Sequence, residues 1–352
     1  LNPGFETLGN CHRKQGYVQN PCPPLKPFFD PMKCLITAAG SMLCMIVAAQ
    51  SADDNRTKEA LSRNHVKTQT NWDYVYTNDK PAKTGIKTSV TSFDASGQAT
   101  RISNFNPKGL VVNIEKYQYD PHGNRTEYTR YTGDTENQVA YQKLSKYNGQ
   151  NLVTEESGFD GVENFNHVYS YDPKGELSEI RYNKNKTINE KRTFSKSGNA
   201  TTVTIYNGTG ALVSKLLLKY DANKNLVEET AYGVNQAELE KKTYNYDDKK
   251  NLKEEAKYKQ DKVTLKTTYS YSPSGNLLEI NEESATIPRF LKKGFTYDTK
   301  GNLTEIRWRR KPNEEFNKIT YTYDQKGLCI TSETWYPVTK YRVLTKYEYI
   351  TY

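Results

Sequence analysis

The chain has 352 residues and a net charge of +9, with 35% hydrophobic and 26% charged residues. That hydrophobic share is too small to fill a thick core, while 28 Tyr and 11 Phe are too many for a solvating, disordered tail. What remains is a half-wet pleated surface, where tyrosine is favoured, and a mild bias toward anionic partners.

Residues 1–31 read as upstream sequence translated in error, because a leader begins behind them. Residues 32–49 read as a secretory signal peptide: Met32, one basic residue at Lys33, then an uncharged apolar stretch from Cys34 to Ala49. That stretch is shorter than the ~20 apolar residues of a membrane helix, so no integral span is expected. Val47 and Ala49 fit the signal-peptidase pockets, which makes Gln50 the mature N-terminus. A lipid anchor on Cys44 is one alternative, and a genuine extension with a Cys11–Cys22 disulfide is another. Export places the mature protein in the periplasm, on the outer surface or outside a Gram-negative cell. Of the five cysteines only Cys329 survives there, so no internal disulfide forms.

Residues 50–85 lack any repeat and read as an N-terminal capping segment. Asn55 to Val66 suits a short polar helix, and Trp72-Asp-Tyr-Val-Tyr76 alternates as a strand covering the first edge of a repeat array.

Residues 86–352 hold ten tandem hairpin units. Their turn residues are Asp94, Asp120, Asn148, Asp172, Ser195, Asp221, Asp247, Ser272, Asp298 and Asp324, each preceded by Tyr or Phe. Asp, Asn or Ser there bonds the backbone two residues on. Pro121, Pro173 and Pro273 supply the φ that a type I turn wants. Gly123, Gly175, Gly198, Gly275, Gly301 and Gly327 provide positive φ for re-entry. After the turn come Leu (Leu226, Leu252), Glu (Glu228, Glu254) and an aromatic (Tyr232, Tyr258), all at odd offsets, so an unbulged strand points all three to one face. Tyr244–Tyr246, Tyr269–Tyr271 and Tyr321–Tyr323 close the returning strands, each pair on one face. The fold class is all-β: tandem antiparallel hairpins in one long, twisted, curved meander sheet of about 21 or 22 strands, held by cross-strand pairs.

The segments Tyr169-Ser-Tyr-Asp-Pro-Lys-Gly175, Phe295-Thr-Tyr-Asp-Thr-Lys-Gly-Asn-Leu303 and Tyr321-Thr-Tyr-Asp-Gln-Lys-Gly327 resemble the YD repeats of the RHS family. The resemblance covers about residues 90–352 and implies hairpin architecture. The family includes hollow toxin shells and large surface proteins thought to bind carbohydrate. Ten units are too few to enclose a protein, so encapsulation does not carry over.

Catalysis is not expected. His65, His122 and His167 form no metal-binding spacing, and neither a Walker loop nor a nucleophile elbow occurs. The recurring glutamates suit a sheet ladder better than a glycosidase pair, and one carboxylate per turn is too few for calcium. No cofactor or metal is implied. The pattern breaks at Arg307-Trp308-Arg309-Arg310-Lys311, near Arg289, Lys292 and Lys293. Arg307, Trp308, Arg309 and Trp335 are therefore the candidate ligand-binding residues, suited to an anionic glycan rather than nucleic acid. The main expectation is a non-catalytic, exported cell-envelope protein that binds glycan or another envelope protein. A structural spacer is the second reading, and an outer-membrane β-barrel the third.

Overall fold

A computed structural model describes residues 56–352. The upstream stretch, the leader, Gln50 and the four N-terminal cysteines lie outside the described residues. A helix α1 (56–63) leads into strand β1 (Val66–Thr77), and a short bridge, β2 (Lys80–Pro81), folds back on it.

The hairpin units then run β3 (Ile86–Phe93), β4 (Ala99–Phe105), β5 (Val111–Tyr119), β6 (Arg125–Thr132), β7 (Val139–Tyr147), β8 (Val153–Phe159), β9 (Asn164–Tyr171) and β10 (Leu177–Lys184). They continue β11 (Thr187–Ser197), β12 (Ala200–Asn207), β13 (Leu212–Tyr220), β14 (Leu226–Gly233), β15 (Glu238–Tyr246), β16 (Leu252–Lys259) and β17 (Lys262–Tyr271). The last are β18 (Leu277–Glu283), β19 (Phe290–Tyr297), β20 (Leu303–Trp308), β21 (Asn317–Tyr323), β22 (Cys329–Tyr336) and β23 (Tyr341–Thr351).

Each strand from β3 onward pairs antiparallel with the next, but the sheet is not open. Strand β1 pairs with β3 on one side (Thr70↔Val90) and with β23 on the other (Asn71↔Tyr347). Leaving out the bridge β2, 22 strands close into a ring. The open meander is therefore corrected to a closed antiparallel barrel. The physical reason is the edge: an open sheet leaves two rows of unpaired backbone groups, and closure removes both. Side chains seal the junction. Trp72 Nε1 donates to Glu348 at 2.8 Å, Tyr76 Oη to Glu333 at 2.6 Å, and Tyr352 Oη to the Phe93 carbonyl at 2.7 Å.

The recurring turns from Asp94 to Asp324 gather at one end, the first rim. At Asp221 the backbone N–H groups of Asn223 and Asn225 donate to Oδ1 at 2.9 and 2.8 Å. The Asn225 amide donates to Oδ2 at 2.9 Å, which explains the Asn in the motif. Positive φ falls on Gly123, Gly275 and Gly301, but also on Asn151, Lys224 and Lys250, so glycine is not obligatory there. Ser195 is a second correction. It lies inside β11 beside Phe194, and the chain turns instead at 198–199, with Ser197 opposite Ala200.

A third correction concerns the faces. At almost every first-rim hairpin the register slips between Leu and Glu: Tyr220 faces Leu226 while Lys219 faces Glu228. This bulge sends Leu and Glu to opposite faces, whereas Glu228 and Tyr232 stay together. The aromatic before the turn has a further duty. Tyr246, Tyr271 and Tyr323 donate to the carbonyls of Leu226, Leu252 and Leu303 at 2.8–2.9 Å, tying each hairpin to the one before.

Helix α1 shows which face is inside. Arg56 donates to the Gly301 carbonyl, Ser62 to Ala95 and Arg63 to Lys326, in turns well apart around the ring. So short a helix reaches them all only from the concave side, where chords are shorter than arcs. Its Ala60 and Leu61 pack with Val66 and Leu328, against Phe93 and Tyr349, which therefore point inward. Cross-strand partners share a face, so the register carries that assignment round the ring.

Candidate functional site

The two faces differ in chemistry. Inward lie the buried Val203, Leu216, Leu218, Leu226, Tyr244, Leu252, Tyr269 and Leu303. Outward lie the recurring glutamates with their lysines: Lys219–Glu228 at 2.8 Å, Lys266–Glu254 at 2.8 Å and Lys146–Glu155 at 3.0 Å. Tyr244 and Tyr246 share the inner face, as their spacing requires.

From β5 to β10 the inner wall changes character. Aromatic rings outnumber aliphatic side chains there and touch in series. Tyr117 and Tyr128 stack at 5.1 Å, Tyr128 meets Tyr141 at 5.6 Å, and Tyr141 meets Phe165 at 6.3 Å. Phe165 lies 5.1 Å from His167, and His167 4.8 Å from Tyr182. Gly158 lies beside one of these contacts. It sits in β8 opposite Phe165, between the strands that carry the Tyr141 and Phe165 rings, and its lack of a side chain lets the β7 backbone approach closely. A Cβ there would lie 1.8 Å from the Gln142 carbonyl oxygen.

Charged groups flank the rings, and Arg125 lies 6.0 Å and 5.7 Å from the Tyr117 and Tyr128 ring centres. Glu115 accepts from the hydroxyls of Tyr117 (2.8 Å) and Tyr128 (3.0 Å). Glu156 accepts from Lys143 (2.6 Å) and Tyr169 (2.9 Å). Arg192, almost fully buried, donates to Glu190 at 2.6 Å and holds its guanidinium 5.0 Å from the Tyr182 ring centre. Among the described residues no group of His, Cys, Asp and Glu is arranged to hold a metal.

The residues singled out from the sequence do not share a surface. Arg307 and Trp335 point outward, two strands apart, with Lys318 between them. Trp308 points inward, edge-on to Tyr336 at 5.9 Å. Arg309 belongs to the second rim. It donates to the Leu291 carbonyl at 2.9 Å and to the Pro312 carbonyl, and lies 4.6 Å from the Phe316 ring centre. Of the nearby lysines, Lys292 pairs with Glu282 and Lys293 faces inward. The ring series escaped the sequence because its members sit at several different offsets from the turns. Register alone brings them together.

No family model and no curated protein matches the chain. Among solved structures it is similar to a chain of the Photorhabdus luminescens Tc holotoxin pore, with 14% identity and a TM-score of 0.26 over 76% of this chain. It spans only 19% of that toxin chain. A TcdB2-TccC3 structure without its hypervariable C-terminal region gives 13% identity, a TM-score of 0.25, and coverage of 76% and 19%. A porin-like protein from Bacteroides uniformis gives 13% identity and a TM-score of 0.28, with 81% of this chain and 98% of that one covered. With TM-scores this low, none of these similarities fixes a function. Closure itself separates the three readings: a sealed ring of 22 antiparallel strands bears out the architecture of the third, the outer-membrane type of barrel, over an open binding array or a spacer. Among the described residues no helix is long and apolar enough to cross a membrane, which leaves crossing by strands untouched.

Proposed function

We propose that the protein is a non-catalytic barrel of the cell envelope, of the outer-membrane type, assembled from YD-type hairpins and working through its inner wall. The closed ring supports this reading. The number of strands is even, every neighbour is antiparallel, and the start of β1 and the end of β23 meet at one rim (Val66↔Thr351), all habits of membrane barrels. Rings of 16 or more strands generally enclose a lumen. The test is fractionation after expression with the leader in a Gram-negative host. Retention in the outer-membrane fraction after high-salt and alkaline washing, with heat-modifiable migration on gels, is the expected result. Release in a detergent-free periplasmic extract overturns the membrane placement.

That second outcome has an observation in its favour. A lipid-facing wall needs an apolar band about 25 Å tall, and here Lys219–Glu228 and Lys266–Glu254 point outward. On the second reading the barrel stands in water, in the periplasm or at the cell surface, and binds its ligand through the same inner wall.

A further inference from the structure

We propose that the second rim seats the barrel end-on in the surface of a phospholipid bilayer, while the outer wall stands in water. This rests on the second reading above, in which the strands do not cross the membrane.

The uncovered apolar surface collects at one end. Among the described residues, every exposed large hydrophobic except Leu144, Ile330, Ile350 and Tyr352 lies in a second-rim connection or within three strand residues of one. Each of those connections has one, apart from the loop at 309–316, where Phe316 stands instead. Val162, for example, is 86% exposed. Apolar residues scattered singly over a surface are ordinary, but a circle of them around one rim is not a scatter. Side chains so exposed add little to the fold, so the circle serves something outside it.

A second layer stands behind the circle. Tyr206, Tyr232, Tyr258 and Trp335 are each the last residue but one of their strand, at the second-rim end. Register puts them on the outer wall, opposite Lys191, Lys215, Lys241 and Lys318. Lys191 lies 5.1 Å from the Tyr206 ring centre, and Lys87 lies 4.1 Å from that of Phe105. Neither lysine has an acid partner among the described residues, so both can meet a lipid phosphate. The third layer is the ladder of lysines and glutamates. Glu228 and Glu254 precede Tyr232 and Tyr258 by four residues, about 13 Å of strand.

The order of the layers sets the geometry. Aliphatic tips, then rings with cations, then carboxylates and lysines match a passage from acyl chains through headgroups into water. A barrel that crosses a bilayer has an apolar band on the far side of its aromatic girdle, where this one has the ladder. Two rim acids, Glu136 and Glu163, are paired with Lys116 and Lys184 and enter the headgroup layer neutralised. The edge itself is uneven, with Asn185-Lys186 at one extreme and the loop at 309–316 at the other. A fluid surface takes up that unevenness, and the rigid face of a second copy does not.

The test is flotation of the whole purified protein with phosphatidylethanolamine–phosphatidylglycerol vesicles. The parent is expected to float with them. Val162→Ser, Val234→Ser, Leu239→Ser and Val338→Ser, combined, should weaken that binding roughly tenfold or more with little change in melting temperature. Ile330→Ser with Ile350→Ser, at the first rim, should keep it. Lipids brominated near the headgroup end of the chain should quench tryptophan fluorescence in the parent but not in Trp335→Phe, since Trp72 lies midway along β1 and Trp308 points inward. A parent that does not float overturns the rim seat and leaves the barrel in water, as does a fourfold variant that binds like the parent. A lipid-free dimer that the same four substitutions split, with no flotation, assigns the rim to a second copy and overturns it too. Quenching that persists in Trp335→Phe brings lipid to the middle of the wall, and the seat then fails together with the reading beneath it. Should the fourfold variant not fold, flotation of the parent and the Trp335→Phe comparison decide alone.

Discussion

The two rims of the barrel are built under different rules. Along the first, one five-residue turn recurs with the same side-chain caps, as at Asp120, Asp221, Asp247 and Asp298. Along the second, connections range from two residues at Asn185-Lys186 and Gln260-Asp261 to the long loop at 309–316. The first rim also carries α1 and the point where the start of β1 meets the end of β23. Uniformity there keeps the turns in a common position for the helix to grip. The second rim has no such shared partner, so its connections vary without cost to the ring.

Two glycines put that contrast to its hardest test. Gly97 and Gly109 have nearly the same φ, +79° and +78°, at the first and second rims. A Cβ on Gly97 would lie 2.4 Å from the Lys58 carbonyl oxygen in α1, while nothing lies within 4 Å of one on Gly109. Gly109→Ala should cost about 1 kcal/mol, the strain of positive φ alone. Gly97→Ala adds a clash with helix backbone and should cost about 3 kcal/mol. Urea denaturation of both variants measures the difference, and equal losses would remove the special status of the first rim.

Acid should act on the rims unequally, with a smaller effect. At Asp247 and Asp298 burial raises the carboxyl pKa, but the amides of Asn251 and Asn302 and two backbone N–H groups outweigh it and hold it below its usual value. At Asp120 and Asp221 the amides of Asn124 and Asn225 lead the same lowering. On the second rim Asp160 is lowered chiefly by the Glu163 backbone N–H. A lowered folded pKa means stability that is present above the unfolded carboxylate pKa and lost as pH falls through the folded one. Replacing Asp120, Asp221, Asp247 and Asp298 with Asn should therefore flatten the acid limb of a stability–pH curve. Asp160→Asn should leave most of its slope. An unchanged acid limb in the fourfold variant would show that the first-rim turns do not govern acid sensitivity.

The smallest effect belongs to Val338, 82% exposed in a second-rim turn. Val338→Ser should alter stability by less than about 0.5 kcal/mol. A larger loss, read as a shift in urea midpoint, would mean that the second rim is anchored after all.

The hairpins were legible because their turn chemistry is local. Asp, Gly and the preceding Tyr act over a few residues, and the strand boundaries came with them. The second rim was less legible even where it used similar chemistry, as at Asn106-Pro-Lys-Gly109 and Asn207-Gly-Thr-Gly210. The bulge after each first-rim turn hid the sorting of Leu inward and Glu outward, since parity counting assumes a regular strand. Closure was beyond local reasoning, for Trp72 meets Glu348 across 276 residues of chain. The candidate residues failed to assemble for a parity reason. Arg307 and Trp308 are neighbours in sequence, and neighbours on a strand face opposite sides of the wall.

A ring of strands has one clasp that chain order does not supply. Every other strand in the circle lies beside its predecessor and successor in the chain, so each hairpin can pair with the one before it in chain order. The clasp between β1 and β23 must wait until Tyr341–Thr351 has been made. Until then both ends are sticky edges, able to recruit another copy. The entropy of closing a loop grows only with the logarithm of its length, so a wide ring is little harder to fasten than a narrow one. What a wide ring lengthens is the interval before fastening. Trp72, Tyr76 and Tyr352, the hooks of the clasp, therefore fasten the ring only after the last strand is in place.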